Sequence, residues 1–169
     1  MATVEDPEGA AERRARITAG LAEKTGIDDA MIERLVRTFY ARVQDDPLIG
    51  PVFATRIHDW EAHIIKLCAF WSSVALMTGR YHGQPMPLHM NLPVGPEHFD
   101  RWIALFEDTA NNLCPPAAAL HFSERARRIA DSFELGIAAR QGKIGRPRFS
   151  TAERQSVRPS ARTEQISCG

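Results

Sequence analysis

The sequence predicts an all-α domain built around four long helices. Three observations carry this. Four stretches place apolar side chains at the three-and-four spacing of one helix face. No stretch reads convincingly as a strand. Asp, Pro and Gly stand where each stretch should start or stop.

Taken in order, the first candidate is a weak N-terminal helix over residues 10–24, anchored by little more than Ile17 and Leu21. The first strong stripe is Ile32, Leu35, Val36, Phe39, Tyr40 and Val43; Asp28 or Asp29 can cap its start, and "DDPLIGP" from Asp45 ends it. The second begins after the cap Asp59, carries His63, Leu67, Phe70, Trp71 and Val74 inward, and closes at Gly79. A short proline-bounded segment follows, "YHGQPMPLHMNLP", with room for one or two helical turns. The third long helix opens with Pro96 in its first turn and has the stripe Phe99, Trp102, Ile103, Phe106, Ala110 and Leu113. The fourth follows Pro115 and Pro116, with Phe122, Ala126, Ile129, Ala130, Phe133 and Ile137 on one face.

The organisation expected is an N-terminal extension, partly helical, over residues 1–26, one domain over 27–140 and a basic tail over 141–169. The tail, "QGKIGRPRFSTAERQSVRPSARTEQISCG", is nearly free of large apolar residues and is expected to be disordered. The 169 residues suit one domain, and 44% hydrophobic with 25% charged residues is a globular balance. With 21 basic and 21 acidic side chains, there is no electrostatic case for a nucleic-acid or membrane surface. No apolar run reaches a membrane span, and the N-terminus lacks a signal peptide's apolar core. Cys68, Cys114 and Cys168 fit no disulfide or zinc spacing, which suits a reduced, cytoplasmic setting.

Three of the four stripes carry a large residue with a polar tip: Tyr40, His63 and Trp102. Singly, each reads as an ordinary core residue whose tip finds a partner. Together they describe polar tips converging in an apolar pocket. Phe39, Phe53, Leu67, Phe70 and Phe106 make that pocket broad. His89, on a segment too short to contribute much to a core, offers a ligand from outside the long helices. A haem meets both features, with apolar walls for its faces, one imidazole on its iron and polar tips over the opposite side. His89 is then the proximal residue, with His98 as the rival that spacing alone leaves open. His58, His82 and His121 lie beside turns, Gly or polar residues and are expected at the surface. The absence of Cys-x-x-Cys-His implies that the haem is held non-covalently.

The strings "FYARVQDDPLIGPVF", "DWEAHIIKLCAFWSSVALMTGRYHGQPMPLHMNLP" and "EHFDRWIALFEDT" resemble the truncated haemoglobins, and among them the third group. Glycine motifs typical of the other groups are absent, which agrees. The likeness covers about residues 28–140. It implies a shortened globin, a two-over-two helical sandwich around haem b. It places the proximal histidine at His89 rather than His98, the distal tyrosine at Tyr40 and the distal histidine at His63. Trp102 falls over the haem and Phe53 packs on it; Leu67, Phe70 and Phe106 complete the expected cofactor contacts. The ligands implied are oxygen and other diatomic gases. An enzymatic alternative is nitric oxide dioxygenation or peroxide chemistry, and the former requires a separate reductase because the chain shows no flavin or nicotinamide motif. A monomer or weak oligomer is expected.

Overall fold

The computed structural model describes residues 7–143, and among these all regular structure is helical. Residues 1–6 and the expected tail from residue 144 onward lie outside the described residues. Seven helices follow one another: α1 Pro7–Thr25, α2 Asp29–Asp45, α3 Gly50–Ala54, α4 Trp60–Leu76, α5 Pro85–His89, α6 Pro96–Leu113 and α7 Pro116–Arg140. α2 is the hub, packing against α3, α4 and α6; α6 in turn packs on α7, and α7 also meets α4. α1 lies against α4 and α7, with Leu21 and Ala22 on the core.

The reasons are local before they are tertiary. Gly26 takes φ 71°, a left-handed angle that costs glycine little, and so turns α1 into α2. Asp28 sits in extended backbone and accepts the Met31 N–H at 2.7 Å, so of the two candidate caps Asp28 is the one used. The stripe from Ile32 to Val43 is buried as its spacing predicts, with Phe39 and Val43 fully so. Each such side chain contributes about 1.5–3 kcal/mol by leaving water. Arg42 fastens α2 to α6 on its outer side, donating to Thr109 Oγ1 at 2.7 Å and pairing with Asp108.

Two elements depart from the sequence expectation. "DDPLIGP" does end α2, but it leads directly into α3. Asp46, its side chain 2% exposed, accepts the N–H groups of Leu48 and Ile49 with Oδ1 and the Arg101 Nε with Oδ2. Gly50 then approaches so closely that a Cβ would lie 2.8 Å from the Gln44 carbonyl oxygen and 2.9 Å from that of Val43. Only glycine fits, and α3 starts there. The second departure is the end of α4. It stops at Leu76, with Met77 in the left-handed region at φ 61°, before Gly79 makes a second left-handed turn at φ 71°. The reversal takes two residues, where the sequence suggested one glycine. Among the described residues, no helix is long and apolar enough to cross a membrane.

Candidate functional site

The four helices and the short α3 and α5 surround a cavity of about 460 Å3, within the range of small-molecule and cofactor sites. Its walls are mostly apolar. Phe53, Leu67 and Phe70 reach it from α3 and α4. They count as only partly buried because the cavity itself uncovers them.

Tyr40, His63 and Trp102 converge on one side. The Tyr40 ring stands edge-on to His63 at 6.1 Å and to Phe53 at 5.9 Å. His63 is also edge-on to Trp60 at 6.0 Å. Burial pushes the Tyr40 hydroxyl far above the usual phenol range, opposed by a hydrogen bond with Trp102. An indole N–H can only donate, so Trp102 cannot take the Tyr40 proton, which remains for another acceptor. Burial, helped by the charges of Lys66 and His89, lowers the pKa of His63.

His89 faces the same cavity from α5. Its Nδ1 lies 2.7 Å from the Pro85 carbonyl oxygen, which can only accept. The ring proton is thus on Nδ1, and Nε2 on the opposite edge keeps its lone pair. Burial lowers its pKa against the opposing pull of that carbonyl, which holds the imidazole in the form a metal needs. Phe133 of α7 stacks on the ring with centroids 4.4 Å apart and planes 25° apart. His98 also reaches the cavity, but its Nδ1 accepts the Gly95 N–H at 3.1 Å and caps α6. With that N–H pointing at it, Nδ1 is an acceptor, so the Glu97 carboxylate 3.1 Å away is a neighbour and not a partner. The ring proton of His98 then sits on Nε2. Of the two rivals, His89 is the one with a free ring nitrogen.

Seven of the nine residues that the sequence assigned to the pocket therefore line one cavity: Tyr40, Phe53, His63, Leu67, Phe70, His89 and Trp102. Phe39 and Phe106 do not, and Phe106 shows why. It is fully buried one layer behind, stacked on Trp102 at 5.5 Å and on Trp71 at 4.7 Å, with Phe39 edge-on at 5.0 Å. Trp102 and Phe106 are neighbours on α6, and the cavity is narrower than the apolar face, so one meets the cavity and the other the core. His121, expected at the surface, is part-buried and bonds the Ala75 carbonyl at 2.8 Å near the end of α4. Sequence reasoning did not assign Phe133, Tyr81, Arg56 or Lys66 to the cavity. Phe133 was legible only as one more member of the α7 stripe, and the other three carried no signal.

A family model described as bacterial-like globin matches residues 21–125. A Campylobacter jejuni protein named group 3 truncated hemoglobin ctb is 34% identical over 113 residues, which is 64% of this chain and 89% of that protein. A Bacillus subtilis protein named group 2 truncated hemoglobin YjbI is 25% identical over 89 residues, 52% of this chain and 67% of its own. Among solved structures, the group III truncated hemoglobin from Campylobacter jejuni matches with a TM-score of 0.60 at 34% identity, covering 64% of this chain and 89% of that one.

Proposed function

The chain belongs to the bacterial-like globin family, as a truncated haemoglobin of the third group, and from that premise we propose that it binds haem b non-covalently and takes up oxygen and other diatomic ligands reversibly. One observation carries the reading: His89, its Nδ1 proton on the Pro85 carbonyl and its Nε2 free, faces an apolar cavity whose other side bears the Tyr40, His63 and Trp102 tips.

The residues fit the cofactor. Phe53, Leu67 and Phe70 would lie on its apolar faces, and Arg56 and Lys66 on the cavity wall would balance its carboxylates. A bound haem supplies ferrous iron, the centre at which diatomic gases bind. The protein supplies the rest. His89 Nε2 would offer its lone pair to the iron, and Pro85 and Phe133 set the direction of the ring. Tyr40 holds a proton ready for an acceptor that gathers negative charge, while Trp102 orients the Tyr40 oxygen. His63 stands beside the pair as a neutral ring at the edge of the pocket. The apolar walls limit the water that competes for the Tyr40 proton.

The enzymatic alternative is less well supported. A carboxylate on the proximal imidazole raises its basicity and favours peroxide cleavage. Here Nδ1 is committed to a backbone carbonyl. Nitric oxide dioxygenation would draw its electrons from a separate reductase. A cytoplasmic setting and a monomeric or weakly oligomeric state complete the reading.

Absorption spectra of the pure chain in ferric, ferrous and carbonmonoxy forms test it. The wild type should show a Soret band and a five-coordinate ferrous form. His89→Ala should lose that form and most haem retention, and His98→Ala should keep both. The reverse pattern would overturn the ligand assignment, and a colourless wild type that takes up no added haem would overturn the function.

A further inference from the structure

Among the described residues, α7 is the only element against which α5 packs. The helix that carries His89 therefore rests on α7, with one further tie just beyond it, where Arg56 donates to the Asn91 carbonyl at 3.5 Å. Two contacts make the seat on α7. The first is the His89 ring on Phe133, at 4.4 Å. The second is a pair of thioethers on Gly136, one turn further along α7. A Cβ built on Gly136 would lie 3.0 Å from Met86 Sδ and 3.3 Å from Met90 Sδ. Met86 and Met90 flank His89 at a spacing that puts both on one side of a helical turn. Both residues are only half-buried.

We propose that Met86 and Met90 are a peroxide-sensitive modification site, and that their conversion to sulfoxide unseats α5 and with it His89; the consequence for cofactor retention rests on the function proposed above. Hydrogen peroxide is the oxidant. The sulfur lone pair attacks one peroxide oxygen, an S–O bond forms and the O–O bond breaks. The transferred oxygen gives up its proton to the departing hydroxide, which leaves as water. Sulfur loses two electrons and peroxide gains them.

The reason the product does not fit is chemical as well as steric. A sulfoxide is polar and chiral where the thioether was apolar and flexible. Its oxygen is a strong acceptor that needs a donor. Gly136 lies inside α7, where the backbone N–H groups are already bonded along the helix, so the surface under the two sulfurs offers none. On the side that faces Gly136 the added oxygen has no space either, because both sulfurs already lie close to that position. It must turn to water instead, and hydrating it draws the sulfurs off Gly136 and lifts α5.

Other methionines provide internal references. Met77 is 52% exposed at the end of α4 and away from α5, so it should oxidise without consequence. Met31 is 9% exposed and packed in the core, so it should resist.

The full chain is treated with stepped hydrogen peroxide, and peptide mass spectrometry assigns the added oxygens. Hydrogen exchange over residues 85–92 reads the seat, and transfer of haem to an excess of a haem-free acceptor globin reads retention. Sulfoxide at Met86 and Met90 should accompany at least tenfold faster exchange over residues 85–92 and at least tenfold faster haem transfer. Methionine sulfoxide reductases should reverse both. A Met86→Leu/Met90→Leu chain should show neither change, and Met77→Leu should behave like the wild type. The proposal fails if residues 85–92 stay protected after both sulfoxides form, if the double variant is accelerated equally, or if the two sulfurs resist doses that fully convert Met77. The exchange readout needs no haem, so it separates failure of this proposal from failure of the function above.

Discussion

Phe106 provides the sharpest test of how the cavity is backed. Its ring is fully buried and contacts three other rings, Phe39, Trp71 and Trp102. Removing a buried phenylalanine side chain costs about 3–5 kcal/mol. Each aromatic pair is worth roughly 0.5–1.5 kcal/mol beyond its buried area, although three pairs sharing one ring do not add fully. Phe106→Ala should therefore fall in the upper part of that range, about 4–5 kcal/mol. For a chain of this size the melting temperature should drop by about 8–20 °C. Phe106→Leu keeps most of the volume and should cost roughly 1–2 kcal/mol. Urea unfolding followed by circular dichroism measures both, with an unchanged slope confirming that stability alone has moved. The leucine variant should also bind haem with near-normal affinity, because the ring stands behind the cavity wall. A loss below about 1 kcal/mol for the alanine variant, or a haem affinity that falls more steeply than stability in the leucine variant, would refute the layered arrangement.

Two further outcomes follow from the site and its support. Tyr40→Phe removes the proton that the Trp102 bond leaves available, so oxygen should dissociate about tenfold faster or more while carbon monoxide changes little; equal changes for the two gases in stopped flow would point to a steric role instead. Asp46 answers to pH. Burial alone would raise its pKa, but the Ile49 and Leu48 N–H groups and Arg101 outweigh burial and hold the carboxyl below its ordinary value. A depressed folded value means that its contribution is complete above about pH 4 and is lost as pH falls through the lower, folded value. The drop in unfolding free energy between neutral pH and pH 3 should shrink in Asp46→Asn, and an identical drop in both chains would remove Asp46 as its source.

The long helices were legible because their evidence is local. Asp28, Asp59, Pro96 and Pro116 mark starts by chemistry that acts within one turn, and stripes such as Ile32 to Val43 need no knowledge of the partner. Tyr40, His63 and Trp102 were legible for a different reason, since polar tips on apolar faces are costly unless they serve something, and His89 because its segment is too short to serve a core. What stayed hidden depends on contacts between distant segments. α3 has five residues and no periodicity, and it exists because the Asp46 carboxylate gathers two N–H groups and Gly50 touches two carbonyls. The inward stripe of α6 could not show that Trp102 meets a cavity and Phe106 a core, because both faces are apolar. Phe133 looked like any core phenylalanine until α5 was seen to lie on it.

The seat of α5 on α7 also sets an order of events during synthesis. α7 is the last of the described helices to be made, and Phe133 and Gly136 leave the ribosome after every other element described. Until they emerge, the His89 helix has no helix to rest on, although Tyr40, His63 and Trp102 have already been produced. At roughly 5–20 residues per second, the nascent chain passes a few seconds with one half of its pocket ready and the other unanchored. A protein arranged this way seats His89 only after α7 has been made, so a truncated product ending before Phe133 would hold the polar tips without seating the helix that faces them.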